Sequence, residues 1–522
     1  MYNRIGSHGA KLRYSNDKRS IPQRYYPLRL ELLKKRPNES LICRYFSAVA
    51  FFQHSEFIHN IRKFLPFTPN ADQEEALKLV ASFILEDDER AVFILKGYAG
   101  TGKTNLISAL TKALPSVRFR SVLLAPTGRA AKVLSGYAQQ PASTIHRKIF
   151  RKTTGPNGEV FFAPADNLHR NTLFIVDEAS MIAASSSEGG YGSILEHLFE
   201  YVYSGVNCKL LLSGDTAQLP PVGETESPAL DPTWLRTAFH LNIRLTELKQ
   251  VARQKNESLI LFNATNLRVQ LAAGAGGFPK LETGKDVISV GGEELLDTLQ
   301  NALSNYGEDQ VIIVTRSNKR ANLFNQNFRN RILLFEEEIN TGDRLMVVKN
   351  NYFWLPENNG EAAFIANGDI AEIKAIRKRE EQYGLKFCDV VLKFVDYENL
   401  PEQEVKILID LLHKDQPAMG QEDLRQFYHK VMEDVQDEPI KSKRQAYIRN
   451  SEHYNALQVK FSYAITCHKS QGGQWPAVFI DLGYVTEEMM GPEFIRWLYT
   501  AMTRASDKVY LINFPIQMLE TP

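Results

Sequence analysis

The chain has 522 residues, of which 43% are hydrophobic and 24% are charged, and its formal net charge is +1. That length allows roughly three to four globular domains. A nearly neutral total argues against binding of nucleic acid through a purely electrostatic basic coat, although it leaves room for a local basic groove. No apolar run reaches the length of a membrane span, so we expect no membrane partner.

The charge is unevenly distributed along the chain. Residues 1–40 contain ten Lys or Arg and three Asp or Glu, which gives +7 in this leader and −6 in the remainder. The leader lacks the early apolar core of a secretory signal, and we expect it to be disordered. Cys43, Cys208, Cys388 and Cys467 form no C-x-x-C pair, which disfavours zinc and a disulfide framework and fits a reducing cytoplasm.

Residues 41–66 are predicted to form an amphipathic N-terminal helix that packs on the next domain. A second helix, predicted over Glu74 to Leu85, follows the Thr68-Pro69 start signal. Gln73 stands at the beginning of this helix, shortly before a phosphate-binding motif. Because a glutamine amide offers one donor and one acceptor to the adenine edge, Gln73 is a candidate adenine contact.

The strongest single motif is Gly97-Tyr98-Ala99-Gly100-Thr101-Gly102-Lys103-Thr104, which fits G-x-x-x-x-G-K-[ST]. The apolar run Ala91–Leu95 precedes it, and a predicted helix over Asn105–Leu114 follows, so the motif has the required strand–loop–helix context. Backbone N–H groups of such a loop and the helix N-terminus bind phosphates. We therefore expect these residues and Asn105 to bind ATP, with Lys103 on the β- and γ-phosphates and the Thr104 hydroxyl on Mg²⁺.

Further unbroken apolar runs predict a parallel sheet that is covered on both faces. They are Ser121–Ala125, Leu173–Val176 and Lys209–Leu212. Polar loops follow the carboxyl ends of these strands, where ligands bind in open α/β sheets.

Three side chains in these loops are candidates for phosphate chemistry. Asp177, at the end of a predicted buried strand, can hold the Mg²⁺ shell, and the adjacent Glu178 can polarise the attacking water. Gln218 can contact the γ-phosphate and report its loss. A surface acidic pair and a plain turn residue are the structural alternatives for the two sites.

A β-hairpin is predicted between two of these strands. The turn-forming sequence Thr154–Gly158 separates Lys148–Arg151 from Val160–Phe162. Such a projection is either a strand-separating pin or a surface excursion without a mechanical role, and the residues alone do not decide between them.

A second α/β domain is predicted from the runs Val311–Val314, Ala477–Leu482 and Lys508–Asn513. An insertion from about 341 to 455 interrupts this domain. It contains four short predicted strands, which suit a small barrel, and a charged stretch, Gln416 to Glu452, that we expect to be helical.

Two segments of the second domain carry residues suited to a polynucleotide and to phosphoryl transfer. Thr466, His468 and a lysine stand beside Gly472 and suit contacts with a phosphate backbone. Arg253 and Arg504 are candidates for the positive charge that phosphoryl transfer needs on the γ-phosphate, supplied from across a cleft.

Taken in order, these motifs resemble those of superfamily 1 helicases, specifically the RecD-like 5′→3′ branch. The resemblance covers roughly Phe67 to Asn513. The motifs are the Q motif at Gln73, motif I at Gly97–Thr104, the early strand-binding motifs at Ala125–Ala131 and Ser143–His146, motif II at Asp177 and Glu178, motif III at Gly214–Gln218, the motif IV arginine at Arg253, motif V at Thr466–Gly472 and motif VI at Tyr499–Arg504.

The resemblance implies an α/β fold of two RecA-like P-loop domains with a pin hairpin and an inserted SH3-like barrel. The implied domains are 67–245 with the pin at about 147–170, then 246–340, the barrel at 341–460, and 461–522. It also implies DNA contacts by Thr127, His146, Thr466 and His468.

The implied activity is ATP-driven 5′→3′ translocation on single-stranded DNA, with unwinding of duplex junctions. We expect a cytoplasmic monomer that serves DNA repair, recombination or replication, with single-stranded-DNA-binding or repair proteins as candidate partners. Two alternatives stay open: a superfamily 1 RNA helicase, because 2′-OH contacts are not visible in sequence, and a nucleotide-dependent switch that moves nothing.

Overall fold

The computed structural model describes residues 53–88, 90–154, 160–184, 192–250, 258–274, 277–355, 364–397 and 400–520. Residues 53–63 are helical, which covers the C-terminal part of the helix predicted over 41–66. The rest of that helix and the predicted leader lie outside the described residues.

The first lobe, residues 71–248, is built on a six-stranded parallel sheet with strand order β3-β2-β6-β7-β1-β8. Its inner strands are buried on both faces, as their unbroken apolar runs predict. The strands are β1 (Ala91–Gly97), β2 (Arg120–Ala125), β3 (Ala142–Thr144), β4 (Phe150–Thr154), β5 (Val160–Pro164), β6 (Arg170–Val176), β7 (Val206–Gly214) and β8 (Asn242–Leu248). The helices are α1 (Ala71–Leu85), α2 (Lys103–Ala113), α3 (Gly128–Ala138), α4 (Ile145–Ile149), α5 (Ile194–Ser204) and α6 (Pro232–Phe239).

Strands β4 and β5 form the predicted antiparallel hairpin, with Phe150 opposite Pro164. The prediction that Lys148 begins the first strand is wrong, because α4 continues to Ile149. The Thr144 side chain caps this helix by accepting a hydrogen bond from the Arg147 amide at 3.3 Å. The predicted turn at 155–158 lies outside the described residues.

The second lobe begins with three helices and three strands. They are α7 (Leu259–Ala272), β9 (Leu281–Glu282), β10 (Val287–Val290), α8 (Leu295–Tyr306), β11 (Val311–Thr315) and α9 (Asn318–Arg331). Strand β8 runs to Leu248 in the first sheet, so the boundary drawn from sequence at 245/246 cuts through it.

A closed five-stranded barrel interrupts the second lobe. Four of its strands match the predicted short strands, and the fifth, which pairs antiparallel with the first, was not predicted. Two helices lie within the stretch that was expected to be helical. The elements are β12 (Arg344–Val347), β13 (Ile370–Gln382), β14 (Leu385–Phe394), β15 (Gln403–Leu408), α10 (Gln421–Glu433), α11 (Lys441–Asn450) and β16 (Leu457–Phe461).

The chain then returns and completes the second lobe. The remaining elements are β17 (Ala464–Thr466), α12 (Cys467–Ser470), β18 (Trp475–Asp481), α13 (Pro492–Met502), β19 (Ala505–Ile512) and β20 (Leu519–Glu520). The second sheet is parallel, with order β10-β19-β18-β11-β17. Two RecA-like lobes with a hairpin in the first and a small barrel in the second confirm the predicted fold class.

The barrel also touches the first lobe at the start of α3. A Cβ on Gly128 would lie 2.6 Å from Asp369 Oδ1 and 2.7 Å from Tyr397 Oη, so only glycine permits this approach. Asp369 accepts hydrogen bonds from the Ala366 amide at 2.7 Å and from Tyr397 Oη at 3.0 Å. Burial raises the pKa of Asp369 to about 7; the Asp396 charge adds to the rise, and the two hydrogen bonds and Arg147 oppose it.

This buried carboxyl group predicts a pH-dependent stability. Because its pKa of about 7 when folded exceeds the ordinary value of an unfolded aspartate, the extra bound proton stabilises the fold at acid pH. That contribution is lost as pH rises through 7. Relative to wild type, Asp369→Asn should therefore gain about 2 kcal/mol of unfolding free energy between pH 5 and pH 8.

Urea unfolding at the two pH values measures this difference. The exposed Asp437→Asn on the same barrel insertion is the control and should follow wild type. Equal pH slopes for wild type and Asp369→Asn would contradict the assignment.

Candidate nucleotide site and nucleic-acid interface

The phosphate-binding loop lies between β1 and α2, as predicted. Gly102 has φ of +88°, and a Cβ there would lie 2.9 Å from Gln73 Nε2, so the tight turn requires glycine. No side chain caps α2, which leaves its first N–H groups for an anion. Lys103 Nζ donates to the Gly97 carbonyl at 2.5 Å and to the Tyr98 carbonyl at 3.1 Å, so the ammonium lies directly against the loop.

The Gln73 side chain supports the phosphate-binding loop by hydrogen bonding. Its Oε1 accepts a hydrogen bond from the Asn70 amide at 3.0 Å, which completes a capping box at the start of α1. Its Nε2 donates to the Thr101 carbonyl at 2.9 Å, and the residue is buried. The structure therefore gives the Gln73 amide a bracing role inside the protein, and the predicted reading of adenine stays a prediction.

The carboxylates predicted for metal and water chemistry follow β6. Asp177 Oδ1 accepts a hydrogen bond from Ser213 Oγ at 2.8 Å, which orients the carboxylate at the sheet edge. Glu178 adopts a left-handed backbone with φ of 53°. Burial raises the pKa of Glu178, and the charges of Arg504 and Lys103 oppose this rise. A carboxylate of raised pKa is a stronger base, which suits activation of water.

Arg504 reaches this carboxylate from the second lobe. Its Nη1 lies 3.8 Å from Glu178 Oε1. The guanidinium is buried and is held by hydrogen bonds from Nε to the Thr500 carbonyl at 3.1 Å and from Nη1 to the Gly473 carbonyl at 3.3 Å. A fixed positive charge therefore faces the predicted base across the seam between the lobes.

Gln218 also lies at this seam. It is buried, and among the described residues its Oε1 has no hydrogen-bond partner. An unpaired buried acceptor is costly, so a bound donor at this place would be favoured.

The start of α3, which carries the predicted strand-binding residue Thr127, contacts Gly472 of the second lobe. Thr127 caps α3, because its Oγ1 accepts a hydrogen bond from the Ala130 amide at 3.2 Å. A Cβ on Gly472 of the second lobe would lie 3.3 Å from this same hydroxyl oxygen. Thr466 ends β17 at the corresponding edge of the second sheet. The two lobes therefore meet at Thr127 and Gly472, and Thr466 lies on the second lobe six residues before that contact.

Family comparisons agree with this two-lobed site. A model described as an AAA domain matches residues 68–276, and a model described as a UvrD-like helicase C-terminal domain matches residues 461–512. The first match covers the phosphate-binding loop, and the second includes the stretch Tyr499–Arg504. The N-terminal lobe of the chain is thus similar to AAA domains, and the end of its second lobe is similar to the C-terminal domain of UvrD-like helicases. Among the residues that the structure describes, no helix is both long and apolar enough to cross a bilayer.

Individual relatives are distant. The uncharacterised protein R530 of Acanthamoeba polyphaga mimivirus is 23% identical over 517 residues, which cover 84% of this chain and 99% of that protein. The ATP-dependent RecD2 DNA helicase of Deinococcus radiodurans is 26% identical over 430 residues, or 80% of this chain and 46% of RecD2. A Bacteroides Pif1 helicase, solved with ADP-AlF3 and single-stranded DNA, shares 16% identity and a TM-score of 0.43, with coverage of 87% and 95%. The chain thus spans about half the length of RecD2.

The structure adds chemical detail to two predicted DNA contacts, His146 and His468, which stay predictions. The His146 ring lies between Phe150 and Phe364, at centroid distances of 6.2 and 6.4 Å, and burial lowers its pKa to about 4. Burial also lowers the pKa of His468. His146 is therefore neutral at pH 7 and can contact a nucleotide only by hydrogen bonding or stacking, not by charge. The sequence could not show this, because it depends on burial in the folded protein, where Phe364 of the barrel insertion lies close to the ring.

The residues present fit ATP and Mg²⁺. The tight loop at Gly102, the uncapped start of α2 and the Lys103 ammonium form an anion cradle. Thr104 and Asp177 would supply hard oxygen ligands of the kind that Mg²⁺ prefers. A bound Mg²⁺ would neutralise phosphate charge there. Arg253 lies outside the described residues, so its role stays a prediction.

Sequence reasoning missed the residues that join the two lobes around this site. They include Tyr499, which contacts both the phosphate-binding loop and Asp215, and Arg268, whose guanidinium carbon lies 4.1 Å from the centre of the Tyr98 ring. The spacing of Arg496, Tyr499 and Thr500 on one helix face was a usable signal for the first of these.

Proposed function

We propose that this protein hydrolyses ATP at the seam and uses the energy to translocate 5′→3′ on single-stranded DNA and to unwind duplex junctions. The observation that carries the proposal is the pair formed across the seam by Arg504 of the second lobe and Glu178 of the first. The first lobe would hold the nucleotide, and the second lobe would supply the catalytic positive charge. ATP turnover would therefore depend on closure of the two lobes.

Each residue has a defined part in the proposed reaction. The first N–H groups of α2 and Lys103 bind the phosphates, while Thr104 and Asp177 hold Mg²⁺. Glu178 accepts a proton from the attacking water, and Arg504 stabilises charge on the transferred phosphoryl group. Gln218 contacts the γ-phosphate through its buried side-chain amide, and this contact is lost when the phosphate leaves.

The polynucleotide is proposed to lie across both lobes, where it would contact Thr127 on the first lobe and Thr466 on the second. The two threonines belong to different lobes. Closure and opening of the lobes would therefore shorten and lengthen the distance between two protein contacts on the same strand. Lys469 follows Thr466 by three residues and donates to Asn367 of the barrel insertion at 3.0 Å, which supports a contact between the barrel and the same strand.

The cellular compartment, oligomeric state and partners of this protein are also proposals. Cys208, Cys388 and Cys467 are buried free thiols, which supports a reducing cytoplasm. We propose a monomer that acts in DNA repair, recombination or replication and meets single-stranded-DNA-binding or repair proteins there. The hairpin of β4 and β5 is proposed as the pin that separates strands.

An unwinding assay on tailed duplexes tests the proposal. We expect ATP-dependent unwinding of a DNA duplex with a 5′ single-stranded tail and little unwinding of the same duplex with a 3′ tail. Preference for an RNA tail would favour the RNA helicase alternative. ATP hydrolysis without unwinding of any tailed duplex would favour the switch alternative.

A further inference from the structure

Side chains on one face of α13 form hydrogen bonds with the loop that carries Gln218. This loop, residues 214–219, is called the Gln218 loop here. Arg496, Tyr499 and Thr500 lie three and four positions apart and therefore share a helix face. Thr500 Oγ1 accepts a hydrogen bond from the Leu219 amide at 2.9 Å, and Arg496 donates to the carbonyl of Thr216. The second lobe thus holds the backbone of a first-lobe loop directly.

Tyr499 adds a connection to the phosphate-binding loop. Its hydroxyl accepts a hydrogen bond from the Ala99 amide at 2.9 Å and donates to Asp215 Oδ2 at 2.6 Å. Asp215 Oδ1 in turn accepts from the Ala217 amide at 2.9 Å. A single hydroxyl therefore links the phosphate-binding loop, the Gln218 loop and the second lobe.

The environment keeps this hydroxyl in the form that the link requires. Tyr499 is among the largest fully buried side chains of the described residues. Burial and the nearby Asp215 charge raise the pKa of Tyr499 well above its usual range. The hydroxyl consequently stays protonated and can donate to the carboxylate at any pH at which the protein is used.

We propose that Tyr499 is a positioning residue that makes ATP turnover depend on lobe closure. When α13 is docked, its hydroxyl sets the Ala99 amide and the Gln218 loop in one arrangement, and Gln218 then meets the γ-phosphate correctly. When the lobes part, both bonds break together and Gln218 loses its alignment. The inference rests on the proposed function, because it assigns the step by which closure reaches the phosphates.

Tyr499→Phe tests this role, because it removes the hydroxyl and keeps the buried ring. We expect the kcat of single-stranded-DNA-stimulated ATP hydrolysis to fall about tenfold or more, the loss that corresponds to one hydrogen bond to a charged partner. The KM for ATP should change far less, because Lys103 and the first N–H groups of α2 are not bonded to Tyr499 and are kept. Tyr510→Phe is the matched control, since Tyr510 stacks on Phe479 in the second lobe, and it should behave as wild type.

A double-mutant cycle separates positioning from simple packing. If Tyr499 acts through Gln218, then Tyr499→Phe should add little to the loss already caused by Gln218→Ala. Independent, additive losses would overturn the inference, and so would an unchanged kcat for Tyr499→Phe. Failure of the proposed function is distinguishable, because wild type would then show no stimulation by single-stranded DNA whatever Tyr499→Phe does.

Discussion

Glu178→Gln is expected to stop ATP turnover while leaving ATP binding intact. The substitution keeps the size and hydrogen-bonding capacity of the side chain but removes the base that accepts a proton from water. General-base catalysis contributes about 10²- to 10⁴-fold, and we expect kcat to fall by that amount. Binding of a fluorescent ATP analogue should be unaffected, because Lys103 and the start of α2 are unchanged.

The pH profile gives a second readout for Glu178. Burial raises its pKa, and only the ionised carboxylate can act as base. Activity should therefore fall as pH decreases, and this fall should begin at a higher pH than an exposed glutamate would give. The exposed Glu200→Gln on α5 is the control and should retain wild-type turnover. A Glu178→Gln variant with wild-type kcat would remove Glu178 from the role of base.

Arg504→Lys is expected to cause a loss of similar or larger size. Lysine keeps one positive charge but cannot reproduce the planar fork that the carbonyls of Thr500 and Gly473 hold in place. A transition-state arginine is worth about 10³- to 10⁵-fold in phosphoryl transfer, so kcat should fall by about 10³-fold.

Single-turnover hydrolysis of bound ATP measures the chemical step for Arg504→Lys directly. Arg331→Lys, an exposed arginine on α9 of the same lobe, is the matched control. Thermal unfolding of both variants reports whether the buried site still folds. A correctly folded Arg504→Lys protein that hydrolyses ATP at the wild-type rate would show that the seam contact is structural only.

The first lobe was predictable because its signals are local. The apolar run before Gly97 and the helix after Thr104 are adjacent in sequence, so the strand–loop–helix unit follows from the pattern alone. The carboxylates after β6 were equally accessible, because a polar residue at the end of a buried parallel strand must lie at the ligand-binding edge.

The fifth barrel strand was not predictable in the same way. Leu457–Phe461 follows two helices and pairs with β12, which lies more than a hundred residues earlier in the chain. Its sequence, Leu-Gln-Val-Lys-Phe, does alternate apolar and polar residues, which indicates a strand but not the partner with which that strand pairs. Pairing of this kind depends on closure of the barrel, which only the folded structure shows.

The site residues also divide into those with local sequence signals and those whose roles depend on residues distant in sequence. Lys103, Glu178 and Arg504 belong to contiguous motifs, and the structure brings all three to one seam. The bracing role of Gln73 and the link made by Tyr499 depend on partners that are 28 and 400 residues away in sequence. The neutral state of His146 likewise depends on burial that the sequence does not display.

The central claim is that ATP turnover at the seam is gated by a polynucleotide lying across both lobes. Steady-state ATP hydrolysis, measured on one preparation with and without single-stranded DNA, tests it most directly, with Lys103→Ala as the background. We predict turnover that rises at least about tenfold when single-stranded DNA is added and that is absent in Lys103→Ala. Turnover that is dependent on Lys103 but unchanged by single-stranded DNA would contradict the claim.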